Sequence, residues 1–172
     1  MVASPLPTPQ VSRVIVFSER HAMLAEVESS QRRLSDVVND PLHKVLQLDN
    51  VQINGLERMD ETLAYHDRVS IRREAIQAIL ILAEPPRPAH QRLSNFVPKQ
   101  SVRFAALLPS IHIVGNIYIG GKIDPTNFIL DGVEAFAVLG DASVTMTSRT
   151  DKPITVSTAM VNRRHIQLMT TL

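Results

Sequence analysis

The chain contains no cysteine and no tryptophan, and its aromatic residues amount to 4%. Without cysteine there is no disulfide, no thiolate metal ligand and no cysteine nucleophile. Such a composition suits a reducing compartment, and a cytoplasmic location is the expectation. With two Tyr and five Phe, a core has to be assembled from Val, Ile, Leu, Ala and Met. A stacking platform for single-stranded nucleic acid is poorly supplied for the same reason. Charge of one sign is also missing. Lys plus Arg number 18 and Asp plus Glu 17, a net charge of +1, which excludes a DNA coat and an acidic tail. There is no apolar run long enough for a membrane-spanning helix. Met1 to Gln10 has neither a basic segment nor a hydrophobic one, so a signal peptide and a membrane partner are not expected.

Catalytic and cofactor signatures are equally scarce. The six histidines, His21, His43, His66, His90, His112 and His165, form no HxH or HExxH spacing, and no metal site is expected from them. No GxSxG elbow occurs, and no pair of carboxylates stands out on an apolar strand. The stretch from Gly115 to Lys122 superficially resembles a phosphate-binding loop. It carries one residue too many before Lys122, and Ile123 stands where a metal-binding hydroxyl is needed. Gly120-Gly121 reads as a turn or bulge. No catalytic residue and no cofactor follows from these features.

What is present is organisation. Apolar residues make up 44% of 172, enough for a real core. Pro5, Pro7 and Pro9 suggest an extended tail over 1–10. Glu84 to Gln100 holds Pro85, Pro86, Pro88 and Pro98; each removes a backbone donor and disfavours helix before it. This reads as a linker between a first lobe, 11–83, and a second, 101–172. The lobes carry net charges of −2 and +1, and the linker +2.

Period-two alternation favours strands. Ile111, Ile113, Gly115, Ile117 and Ile119 alternate with His112, Val114, Asn116 and Tyr118. Further strands are expected at 11–17, 23–27, 45–53, 69–71, 76–82, 142–147, 155–161 and 166–169. Helix is the alternative for 19–33 and 69–82, where Arg and Glu are frequent.

The lobes overlay when the first is shifted by 90 or 91 positions. Met23-x-Ala25-x-Val27 falls on Ile113-x-Gly115-x-Ile117, Leu34 to Val38 on Pro125 to Ile129, Leu48 to Ile53 on Leu139 to Val144, and Arg73 to Gln77 on Arg163 to Gln167. The expected fold is all-β: two tandem, small, five-stranded barrels from an internal duplication, since closure would remove exposed edges.

The ordering of the second lobe resembles the Sm-like barrel, a relative of the SH3-like barrels. The resemblance rests on the strand Ile113 to Ile119, then Phe136 to Ala142, then Val161 to Leu168, with Arg164-His165 standing where that family has Arg-Gly. It implies RNA as an alternative partner. A second resemblance covers most of each lobe. Arg33-Leu34-Ser35-Asp36-Val37-Val38-Asn39, Leu48-Asp49-Asn50-Val51 and Val161-Asn162-Arg163-Arg164-His165-Ile166 look like the RLSDFLN, LTDA and VNRDHI motifs of an uncharacterised bacterial family. It implies no activity.

Two sets of residues are candidates for binding. Arg72, Arg73, Arg163, Arg164 and His165 recur at a matched place in both lobes. They suit either an anion contact or a charged edge that discourages strand aggregation. His112, Asn116 and Tyr118 share one strand face, fall on Ala22, Glu26 and Glu28 in the overlay, and suit a protein contact. The functional expectation is a non-catalytic module that binds a protein partner or itself through barrel edges and faces. The alternatives are an RNA- or nucleotide-binding regulator using the Arg pairs, and a small-ligand or hydrolytic site between the lobes.

Overall fold

The computed structural model describes residues 10–30, 32–86, 99–148 and 152–172. The proposed tail, except Gln10, and positions 87–98 of the proposed linker lie outside the described residues. The first half runs β1 (Val11–Phe17), β2 (His21–Glu28), α1 (Leu34–Val38), β3 (Val45–Gly55), β4 (Arg58–Arg72), a 3-10 turn (Arg73–Ala75) and β5 (Ala78–Ala83). The second runs β6 (Lys99–Leu107), β7 (Ile111–Gly120), α2 (Pro125–Leu130), β8 (Phe136–Met146), β9 (Ile154–Asn162), a 3-10 turn (Arg163–His165) and β10 (Leu168–Thr171). Among the described residues no helix is long and apolar enough to cross a membrane.

The protein is all-β, as the alternation implies. The ten strands of the described residues form a single antiparallel sheet in the order β10-β6-β7-β8-β9-β5-β1-β2-β3-β4. The fifth strand of the first half therefore pairs with the fourth strand of the second, and the pairing runs in an open line from β10 to β4.

The halves repeat each other in register as well as in order. A shift of 90 carries Phe17↔Ala22 onto Leu107↔His112 and Ala78↔Phe17 onto Leu168↔Leu107. Val45↔Arg72 corresponds to Phe136↔Asn162, with a shift of 91 on one strand and 90 on the other. Both halves break register at one matched place, between Leu24 and Glu26 and between Val114 and Asn116. Opposite each break is a residue in the left-handed region, Asn50 at φ 50° and Asp141 at φ 45°. Asn and Asp tolerate this conformation better than other non-glycine residues, and a bulge supplies the reason for it.

Two apolar clusters form the core, and the central strands serve both. Ala78 and Leu80 of β5, with Ala159 and Val161 of β9, enter the cluster built mainly by the second half. Ile79, Ile81 and Met160 point the other way, into the cluster of the first half, which Phe136 of β8 also enters. The run Ala78-Ile79-Leu80-Ile81 is buried at every position, as expected of a strand covered on both faces.

Three amides lock this joint. The Asn39 side chain pairs with the Phe136 backbone like a strand residue, its amide donating to Phe136 O at 3.1 Å and its oxygen accepting from Phe136 N at 2.8 Å. Asn162, buried, donates to Arg73 O at 3.3 Å and to Ile76 O at 2.8 Å while accepting from Arg164 N at 3.1 Å. Gln77, also buried, exchanges two hydrogen bonds with Ser110, each of 3.1 Å.

The structure decides one open alternative and differs from the sequence reading in two respects. The strand reading prevails over helix at 19–33, where β2 lies, and over most of 69–82, with one 3-10 turn between β4 and β5. Two short helices occupy the links from β2 to β3 and from β7 to β8. The first buries Leu34 and Val38, one helical turn apart. The second has Asp124 as N-cap, accepting from Asn127 N at 3.1 Å, with Pro125 in its first turn. β4 begins well before the expected 69–71, and β6 is a strand that the alternation did not mark, starting within the proposed linker. Both open with polar, largely exposed residues at the sheet margin, where alternation is not enforced by a core.

Replacing Asn162 by Ala takes the side-chain donor from Ile76 O and one of two donors from Arg73 O, which keeps Ile76 N, and should cost about 1–3 kcal/mol. The measurement is urea unfolding, and an unchanged midpoint would refute the locking role.

Candidate functional site

Each 3-10 turn between the fourth and fifth strands begins with an arginine whose role is the same in both halves. Arg73 donates through Nη1 to Val38 O at 2.8 Å. Arg163 donates through Nη1 to Ile129 O at 2.6 Å and also bonds Phe128 O. Val38 and Ile129 are matched positions at the ends of α1 and α2. These arginines thus hold the last carbonyls of a short helix, where a cation is favourable. Arg163 lies over the Phe128 ring, 5.6 Å from its centroid, a cation–π geometry. Burial lowers the pKa of its guanidinium, and Glu134 acts in the opposite direction. Its Nε has no hydrogen-bond partner among the described residues.

The partner residues of the two pairs, Arg72 and Arg164, are exposed. Arg73 and Arg163 start the turns, and each pair divides into an inward arginine that fastens a helix and an outward one that faces solvent.

Folding brings the outward pair together. Lys44, Arg72, Arg73 and Glu74 of the first half and Ala135, Phe136, Asn162 and Arg164 of the second line one cleft of about 630 Å³ beside the joint. Four basic groups face a single carboxylate there. Glu74 pairs with Arg72 at 3.4 Å, an exposed contact of small energetic weight. Such a cleft attracts an anion. Lys44 was not among the sequence candidates. It sits just before β3 and is separated from Arg72 by 28 positions along the chain, so only the pairing of β3 with β4 places it here.

The remaining candidates disperse. His165 has its Nε2 2.6 Å from Glu74 O, a hydrogen bond that requires the proton on Nε2. It borders a different hollow with Arg20 and His21. Tyr118 packs on Gly140, where a Cβ would come within 2.8 Å of the ring. It shares a third cleft with Arg163, Lys99 and Glu134. Asn116 accepts from Arg103 at 3.3 Å and donates to Asp141 at 3.2 Å. Its counterpart Glu26 accepts from Asn50 at 2.7 Å. The amide and carboxylate have changed places between the halves, and each pair is satisfied within its own half rather than across the joint. His112 is exposed near the start of β7. Among the described residues no group of three His, Asp or Glu is placed to hold a metal ion.

Compared with protein-family models, curated proteins and solved structures, the chain matches none.

A Cβ at Gly132 would overlap the Arg163 guanidinium. Gly132→Ala should therefore expel Arg163 from the α2 carbonyls, with a loss of about 1.5–3 kcal/mol. In an Arg163→Ala background the same substitution should cost at least about 1 kcal/mol less. Additive losses in a double-mutant cycle by urea unfolding would show that the two do not communicate.

Proposed function

We propose that the protein is a non-catalytic interaction and assembly module that engages protein strands through the two open edges of its sheet, β4 and β10. The observation that carries this is the pairing of β5 with β9. The chain already holds its halves together by joining a fifth strand to a fourth strand, and among the described residues one strand of each kind has no partner strand on its outer side. An unpaired edge offers backbone donors and acceptors to a partner strand. The reading of each half as an Sm-like or SH3-like unit opened on one side belongs to the same proposal. So does a reducing cytoplasm as its location, which a cysteine-free chain suits.

A second reading is favoured by the cleft of Lys44, Arg72, Arg73 and Arg164: an RNA or nucleotide phosphate held beside the joint. Arg72, Arg164 and Lys44 are the residues to test it, since Arg73 serves α1.

For the first reading, a photo-crosslinking amino acid is placed at Ser70 on β4 or at Thr170 on β10 and irradiated in living cells. Protein adducts are expected from both edges, and none from an exposed control position away from them such as Lys122. Silence from both edges would end the interaction reading. For the second, Arg72→Ala with Arg164→Ala should weaken RNA binding and lower its salt slope by about two. Equal retention of RNA by the parent and variant proteins at low salt would dismiss that cleft.

A further inference from the structure

The inner joint predicts an outer one. Along β5 and β9 the pairs are Ala78↔Val161, Ile79↔Met160, Leu80↔Ala159 and Ile81↔Thr158. The halves correspond by a shift of 90 on these strands, so the same contact between two chains would pair Leu168 with Ile71, Met169 with Ser70, Thr170 with Val69 and Thr171 with Arg68. We propose that the protein assembles head-to-tail with further copies of itself, β10 of one copy pairing antiparallel with β4 of the next in this register. The inference rests on the interaction reading and names its partner.

The surface at these edges is what such a contact requires. Leu168 is 66% exposed, whereas its counterpart Ala78 at the inner joint is fully buried. Phe136, buried at the inner joint and held by Asn39, corresponds to Val45, which is 41% exposed. Asn39 itself corresponds to Leu130, 53% exposed. Seating the next copy would bring Leu130 of one chain against Val45 of the other. An apolar contact would thus replace the polar clamp of the inner joint and cover side chains that now face water.

Hydrogen-bonding capacity carries over too. Asn162 donates to Arg73 O and Ile76 O at the inner joint. Its counterpart Arg72 is likewise a donor and would meet Arg163 O and Ile166 O of the neighbouring copy. Gln77, which binds Ser110, has an identical counterpart in Gln167, and Ser110 corresponds to Arg20. The rest of the β4 edge is guarded. Asp60, Glu61, His66 and Asp67 are exposed along it, a charge pattern that discourages a longer ladder. Pairing is thereby confined to the four residues that match the length of β10. Unlike edges meet, so the contact is heterologous and generates a closed ring or an open filament.

The absence of native cysteine permits a clean test on the purified full-length chain. Ser70→Cys combined with Met169→Cys, bridged by a short bis-maleimide, should give a ladder of chain multiples on a denaturing gel. Each single substitution should leave one chain. Light scattering of the parent protein should show a mass that rises with concentration. Leu168→Asp should weaken association about tenfold or more, a change of about 1.4 kcal/mol, with an unaltered circular dichroism spectrum. A parent protein that stays monomeric at every soluble concentration would overturn the inference. So would cross-linking by Ser70→Cys alone, which signals β4 against β4. If the edges still photo-crosslink another protein in cells while the purified chain stays monomeric, self-assembly fails and the interaction reading survives.

Discussion

Everything in this molecule depends on the antiparallel pairing of β5 with β9. Each half is a five-stranded sheet too small to cover both of its faces. Joining the halves through these two strands gives each cluster a share of the other half's side chains. Phe136 and Met160 complete the first cluster, and Ala78 and Leu80 complete the second. The hydrogen-bond ladder and the apolar burial act at the same place, so neither half is independent of the other. Asn39, Gln77 and Asn162 satisfy the polar groups that this burial would otherwise strand.

The same constraint explains the distribution of the arginines. A link of only a few residues between the fourth and fifth strands must turn tightly, and it does so as a 3-10 turn in both halves. That geometry sends the first arginine inward to the carbonyls of a short helix and leaves a neighbouring one facing solvent. Repetition then doubles the effect, and the joint collects Arg72 and Arg164 on one cleft. A structural requirement thereby creates a basic surface beside the joint.

Much of the fold was legible along the chain. Alternation at Ile111 to Ile119 and the β-branched run from 155 to 161 are strand signals that need no partner to be read. The overlay at 90 or 91 positions anticipated the matched registers, because apolar phase and turn positions survive divergence when identity does not. Less legible were the elements whose residues answer to water or to another element. β4 is a long edge strand with charged residues, so its pattern carries little periodicity. The α1 and α2 turns are too short for a helical period to declare itself, although Asp124-Pro125 was a usable cap signal. Of the candidate residues, the recurrence of Arg73 and Arg163 was visible, but their bonds to helix carbonyls were not.

By itself the sequence determined the all-β class, the repetition and the lack of thiol chemistry, since these follow from composition and local periodicity. It also marked the positions where both halves turn. Only the tertiary structure decided how the halves meet. Whether a fifth strand closes onto its own fourth strand or onto that of the other half is a choice between long-range pairings at matched positions of the repeat. The side chains that settle it, Phe136 under Asn39 and Asn162 against Arg73 and Ile76, lie nearly a hundred positions from their partners. No local pattern records a contact at that separation, and the free edges of the sheet are its consequence.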